Sequence, residues 1–504
     1  MIHGPWPSAV PWGRYWSGAI RPASPVAIAA IGVAAAVAAV SVPLDRAGVG
    51  WLVTAVAGTA ALMVARKIPA RPLAGAPAPL VVREPKPAGW DRYAWAAATV
   101  ALLAVGTLRS AGWLFLLCIA TATLTGALAL TGGRTMRSIA AGYTMPVFAA
   151  FRSLPWLARG AARLRRPAEA AANVRVAATV AVSIALLTVF GALFASADAA
   201  FADALSELSP NIDVPTTARW IFVFAVATLA LGGAAFLRAG PPSLSELDVT
   251  EGRKVNRYEW AVPLGLLVLL FAGFVAVQLT VLFGGNRHVL ETDGLTYADY
   301  ARGGFWQLSF VTGLTLVVLA GAARWAPREK AADRTLIRVL LGALAVLTLV
   351  IVGSALHRMN LYADTYGLTR LRLLVACCEA YLGLVLLLVL VAGIRIRAAW
   401  LPRVAIAAGV LALLGLAAAN PDRLIAEHNV RLDRAVDLVY LGNLSPDAVA
   451  GLDGLDPARR DCVLGHLGLW LDAHPDDWRG WNLGREQART IIRRDLSGPD
   501  WRCS

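Results

Sequence analysis

Apolar runs of about 18 or more residues, bounded by charges or by Pro and Gly clusters, recur from residue 25 to residue 419. A membrane-crossing helix needs roughly 20 such residues, so the runs read as spans. They fall at 25 to 44, 48 to 65, 92 to 108, 111 to 130, 174 to 197, 218 to 238, 258 to 283, 303 to 324, 335 to 357, 370 to 394 and 400 to 419. The fold expected is all-α, a polytopic helical membrane protein of about eleven transmembrane helices with a small helical extracytoplasmic C-terminal domain.

From residue 420 the pattern changes: Asp, Arg, Trp and His become frequent and no run is long enough to span. Asn420 followed by Pro421 is a helix start, and apolar positions from Leu424 to Tyr440 recur at helical spacing. Further helices are expected over 457 to 471 and 475 to 494. The chain thus divides into a cytoplasmic segment (1–24), four helices plus a basic segment (25–173), a seven-helix core (174–419) and a tail (420–504). Residues 69 to 87 are Pro-rich and read as linker.

Composition agrees with the pattern, at 58% hydrophobic and 16% charged. A formal net charge of +14 would suggest nucleic acid in a soluble protein, but here basic residues set topology and meet anionic lipid, so no nucleic acid is expected. With the N-terminus inside, the Arg and Lys clusters at 66 to 86, 134 to 166, 253 to 257, 324 to 334 and 395 to 403 all fall in the cytoplasm, and the C-terminus falls outside. The first run lacks a small-residue cleavage site and reads as the first span. The location expected is the cell membrane of a bacterium, the latter from the richness in Ala, Arg, Gly and Leu. Between Arg134 and Arg166, Met145, Phe148, Phe151, Leu154, Trp156 and Leu157 alternate with arginines and with Pro146 and Pro155. This segment is either an interfacial helix on the inner leaflet or a basic loop that fixes orientation.

No phosphate loop, HExxH, paired CxxC or GxSxG occurs, which disfavours an ATP-driven pump, a zincin and an α/β-hydrolase. The candidate chemistry lies at the outer ends of the later spans. Arg287, Arg302, Arg358, Arg370 and Arg372 map outside against the charge bias, beside Glu291, Asp293, Asp299 and Asp364. The tail adds Asp422, Arg423, Glu427, His428, Asn429 and Arg431. Gln278, Gln307, Ser354 and Glu379 lie just below in the membrane, Glu379 at a cost of at least ~2.5 kcal/mol. Arg grips carboxylate or phosphate bidentately, and Tyr297, Tyr300, Tyr362, Tyr366 and Tyr381 offer walls with a hydroxyl. Ion pairing with nearby acids and an interfacial aromatic belt account for the same residues without a ligand.

Cys118, Cys377 and Cys378 fall in spans as packing residues, while Cys462 and Cys503 fall in the tail, where a disulfide is permitted. Cys462, His466, His474 and Cys503 match no recognised zinc spacing, so no metal and no cofactor are expected.

The strings YADYARGGFWQL (297 to 308), SALHRMNLYADTYGLTRLR (354 to 372), NPDRLIAEHNVRLD (420 to 433) and DLVYLGNLSPDAVAGL (437 to 452) resemble a bacterial multi-pass membrane family catalogued only as a domain of unknown function, family 4173, near 4153. ASADAAFADAL (195 to 205) is similar to that family's outer loop, and the resemblance covers roughly 175 to 490. The family often has a second basic residue and an aromatic pair where this chain has Arg302, Gly303, Gly304, Phe305 and Trp306. The resemblance implies a cell-membrane location and carries over no activity, cofactor or catalytic residue.

The reading preferred is a non-enzymatic membrane protein whose outward polar cleft binds an anionic or lipid-linked envelope component, its partners being the bilayer and such a molecule or lipid headgroup. One alternative is a membrane-embedded transferase on a lipid-linked substrate, with Glu379, Asp293 or Asp364 as base. The other is a sensor or assembly scaffold acting through the tail. The lower halves of the spans are uniformly apolar, which weakens an ion-coupled transporter.

Overall fold

The computed structural model describes residues 16–66, 89–163, 214–244, 256–283, 305–327, 330–395, 398–432 and 436–496, with single positions between 179 and 247. Among the described residues there is no strand. The helices are α1 (Pro25–Ser41), α2 (Val49–Arg66), α3 (Trp90–Leu108), α4 (Gly112–Thr131), α5 (Met136–Ala162), α6 (Val214–Ala239), α7 (Arg257–Phe283), α8 (Phe305–Trp325), α9 (Ala331–Tyr366), α10 (Arg370–Arg395) and α11 (Leu401–Ala419). Beyond them come α12 (Pro421–Arg431), α13 (Leu438–Gly442), a 3-10 turn (Pro446–Gly451), α14 (Pro457–Ala473) and α15 (Leu483–Asp495).

Seven of the described helices, α4 and α6 to α11, are long and apolar enough to cross a membrane, and α1 and α2 are shorter apolar helices. The span expected at 174 to 197 lies almost wholly outside the described residues. Outward faces carry large apolar side chains such as Leu266, Leu269, Phe310 and Leu314, as lipid contact requires. Inside, Leu344, Ile351, Ala355 and Leu386 centre the core of α7 to α10. Buried hydroxyls cost little because they return to their own helix: Thr312, Thr315 and Thr348 each donate to the carbonyl four residues back.

Two local differences from the sequence reading have physical causes, and the segment around Arg134, read as helix or loop, is helical. The span expected at 335 to 357 extends as α9 to Tyr366, because no glycine or proline intervenes before Gly367, where φ is 79°. The segment around Arg134 forms one helix, α5, with Pro146 and Pro155 inside it. The tail helix expected from 475 starts only at Leu483: Asp477 first accepts the Gly480 N–H (2.9 Å) in a turn, and Asn482 then caps α15.

Two arginines tie the same three helices at opposite ends. Arg403, at the start of α11, donates to the Gly132 and Gly133 carbonyls after α4 (2.6 and 2.8 Å) and to Asp91 at the start of α3 (2.7 Å). Arg109, after α3, donates to Ala417 and Ala418 at the end of α11 (2.6 and 3.0 Å). The second end carries the residues after α11. Asn420, the one described non-glycine with positive φ (56°), turns the chain there, and its side chain accepts from the Arg423 N–H to start α12.

The helices after Asn420 share a core of their own around Ile425, Leu441, Val449, Leu464 and Leu467, joined by Leu368 and Leu373 from the α9–α10 connection. They rest on the α1–α2, α3–α4 and α9–α10 connections and the end of α11. At α1–α2, Arg485 is 2% exposed, donates to Ala47 O (2.8 Å) and pairs with Asp476 (2.9 Å), which also receives Arg489 (2.8 Å) and Arg46 (3.4 Å). At α3–α4, Asn482 donates to Gly106 O and Arg109 O (2.7 and 2.9 Å).

Candidate functional site

The residues singled out at the ends of α7, α9 and α10 meet at the bundle end that bears the tail, but they form separate groups. Gln278 of α7 accepts at its Oε1 from Ser354 (3.0 Å) and Arg358 (2.8 Å) of α9. Two turns on, the rings of Tyr362 and Tyr366 lie 4.9 Å apart, and the Arg372 guanidinium sits 4.3 Å over Tyr362. Arg372 also donates to the carbonyls of Tyr366 (3.0 Å) and Gly367, satisfying the end of α9.

Arg370 and Asn429 are engaged in binding the tail to the α9–α10 connection. Arg370 grips Asp422 through Nε (3.1 Å) and a second guanidinium nitrogen (2.6 Å). Asp422 is fully buried and takes two more donors, Trp113 Nε1 (3.1 Å) and the Ser445 N–H (2.9 Å). Burial pushes this carboxyl upward, but the Arg370 bonds and the Ser445 donors outweigh it and hold it below the usual range. Asn429 reads both backbone groups of Leu368, accepting its N–H (2.6 Å) and donating to its carbonyl (2.9 Å). His428 lies 3.6 Å from Asp364.

Glu379 stands apart from these satisfied groups. It is 1% exposed on α10, and neither carboxylate oxygen completes a hydrogen bond. The Ser309 side chain of α8 is its polar neighbour. Gly383 packs on Val352 and Leu349 of α9, so Glu379, one turn earlier, is level with the stretch of α9 that carries Ser354 and Arg358. It therefore lies roughly 13 Å along α10 from Arg370. Gln307 is exposed on α8, and Tyr381 donates to Ala405 O of α11 (3.0 Å). Arg287, Glu291, Asp293, Tyr297, Asp299, Tyr300, Arg302 and Cys503 lie outside the described residues. Cys462 is disulfide-bonded, whereas Cys118, Cys377 and Cys378 are free.

Sequence reasoning missed Asp447, which joins the 3-10 turn to the bundle. Its Oδ2 accepts from the backbone N–H groups of Ser110 (2.7 Å) and Ala111 (3.0 Å), and its own N–H donates to Ser110 Oγ (3.2 Å). Burial raises its carboxyl above the usual range despite these donors. In the sequence Asp447 follows Pro446 in a polar stretch, which signals a turn start and nothing of a distant partner. Beside it a cavity of about 470 Å³ opens between the end of α11, α12, the 3-10 turn and α15, lined by Arg109, Arg423, Glu427 and Gln487 among others.

The family model described as Domain of unknown function (DUF4153) matches residues 97–455, more than half of the chain. This corrects the resemblance to family 4173 to its neighbour. The match also starts earlier, within α3, and ends before α14. No curated protein and no solved structure matches the chain.

Proposed function

We propose that this chain, which belongs to the family described as Domain of unknown function (DUF4153), binds an anionic or lipid-linked envelope component in the membrane, at the bundle end where the tail is seated. The observation that carries this reading is Glu379, a carboxyl 1% exposed inside a span, beside the Ser309 side chain and with neither oxygen completing a well-formed hydrogen bond. Such a group costs more than an apolar side chain of the same size and is retained where function uses it. Arg358, at the same depth on α9 and held by Gln278, supplies the positive partner for an anionic headgroup. A protonated Glu379 can donate to a phosphate or carbonyl oxygen, and an ionised one can receive an ammonium group.

The orientation that goes with this reading has the N-terminus in the cytoplasm and the tail outside, in the cell membrane. Support comes from the disulfide at Cys462, which suits an oxidising compartment, with Cys503 as its proposed partner. The exposed arginines of α5, at the bundle end away from the tail, suit the cytoplasmic side.

The test is to purify wild type and Arg358→Ala from the same cells and identify co-purifying lipids and lipid-linked molecules by mass spectrometry. A specific anionic ligand lost only from the variant supports the reading. The same lipids in the same amounts on both proteins would overturn it.

A further inference from the structure

Helix α5 carries an inference that is independent of the ligand site above. Both of its ends meet the same end of the bundle. Near its start, Gly142 packs on Thr131, at the end of α4, and on Leu244, just past α6; near its finish, Gly160 packs on Ala23, just before α1. A helix of 27 residues is roughly 40 Å long, and one that crossed the membrane would place its ends at opposite faces. With both ends at one end of the bundle, it lies against the last turns of α6 and does not run through to the end that bears the tail. Gly232 and Gly233 of α6 let it lie close, against Ser153 and Ala150.

Around the helix three faces follow one another. Ala141, Met145, Ala149, Trp156 and Gly160 are buried against the bundle. Val147, Phe151 and Leu154 form an exposed apolar face, 61%, 64% and 48% accessible. Between the two runs a basic stripe of Arg137, Arg152 and Arg159, with Arg134 and Arg163 just beyond the helix ends, all exposed. Arg152 is turned to the bundle, over Trp16 (4.6 Å) and onto Ser17 O (3.2 Å), and Arg159 caps back to Pro155 O (3.2 Å). From residue 134 to 163 the sequence has no Asp or Glu, so no acid on the helix neutralises the stripe.

We propose that α5 is a docking surface for anionic phospholipid, its apolar face in the acyl boundary and Arg134, Arg137 and Arg163 on headgroup phosphates. The charge complementarity and the apolar face beside it fit a bilayer surface better than a soluble partner, since an interfacial helix needs both. Lipid phosphate is the ligand, in the leaflet opposite the tail.

The test uses the full chain in neutral detergent, titrated with phosphatidylglycerol or phosphatidylcholine and read by native mass spectrometry. Preferential retention of phosphatidylglycerol is expected, and R134Q/R137Q/R163Q should weaken it by roughly fivefold for each arginine removed. R134K/R137K/R163K should keep it, and so should R459Q/R493Q/R494Q, which removes three exposed charges from the tail. Circular dichroism and gel filtration establish that each variant is folded. Equal retention by the triple Gln variant, equal loss in the tail control, or displacement of phosphatidylglycerol by equimolar inorganic phosphate would each overturn the proposal.

Discussion

Arg370 and Asp422 are joined by two hydrogen bonds, 3.1 and 2.6 Å, between a guanidinium at the start of α10 and a carboxylate with no exposed surface. With Trp113 and Ser445 also donating, Asp422 holds α10, the α4 start and the 3-10 turn to one point. Asp422→Ala leaves Arg370 without its partner. The expected loss is about 3 kcal/mol, at the low end for a broken buried pair because Arg370 remains about a third exposed. Limited proteolysis should then release the tail while the bundle stays intact; an unchanged digestion pattern would count against the anchor.

The two buried tail carboxyls give opposite pH dependences. Asp422 lies below its unfolded value, so its contribution is complete above the ordinary carboxylate range and is lost as pH falls through the folded value, below about pH 4. Asp447 lies above its unfolded value, so its contribution is complete in acid and is lost as pH rises through the folded value. Hydrogen exchange of the tail should accordingly flatten in acid in Asp422→Asn and toward neutral pH in Asp447→Asn. Identical profiles for the two variants would contradict these assignments.

Gly484 is required by a close approach. A Cβ there falls on Asp447 Oδ1, whose Oδ2 is already fixed by Ser110 and Ala111. Gly484→Ala should destabilise the tail by about 1–3 kcal/mol, measured as a lower thermal midpoint in detergent. Gly468→Ala, where the new methyl would meet Ile492 at an ordinary 3.5 Å, is the matched control and should be near neutral.

Much of this architecture was legible because hydrophobic runs report directly on membrane-crossing helices: α4 and α6 to α11 all lie where the sequence placed spans. The change of character at Asn420 was equally visible, since an Asn-Pro start has a local cause. What the sequence could not supply was partnership. Arg370 and Asn429 were singled out as ligand groups from their placement, and the structure has them binding Asp422 and the Leu368 backbone. Asp447 and Ser110 lie far apart in the chain, and no periodicity encodes their meeting. Glu379 was legible for the opposite reason, because a carboxylate in an apolar run is anomalous without knowledge of any neighbour.

The bridge at Cys462 gives a chemical check on the side of the membrane. Peptide mapping without reductant should recover Cys462 linked to Cys503, with Cys118, Cys377 and Cys378 alkylated as free thiols under denaturing conditions. Free Cys462 in protein purified from intact membranes would argue against an extracytoplasmic tail.

The most direct measurement compares wild type with Glu379→Leu, reading thermal stability and bound ligand in the same preparation. A buried carboxyl with no well-formed hydrogen bond is kept at a cost in stability, so the account predicts a variant more stable by about 1–3 kcal/mol that no longer retains the anionic or lipid-linked molecule. A variant that is no more stable and keeps every molecule the wild type carries would contradict it.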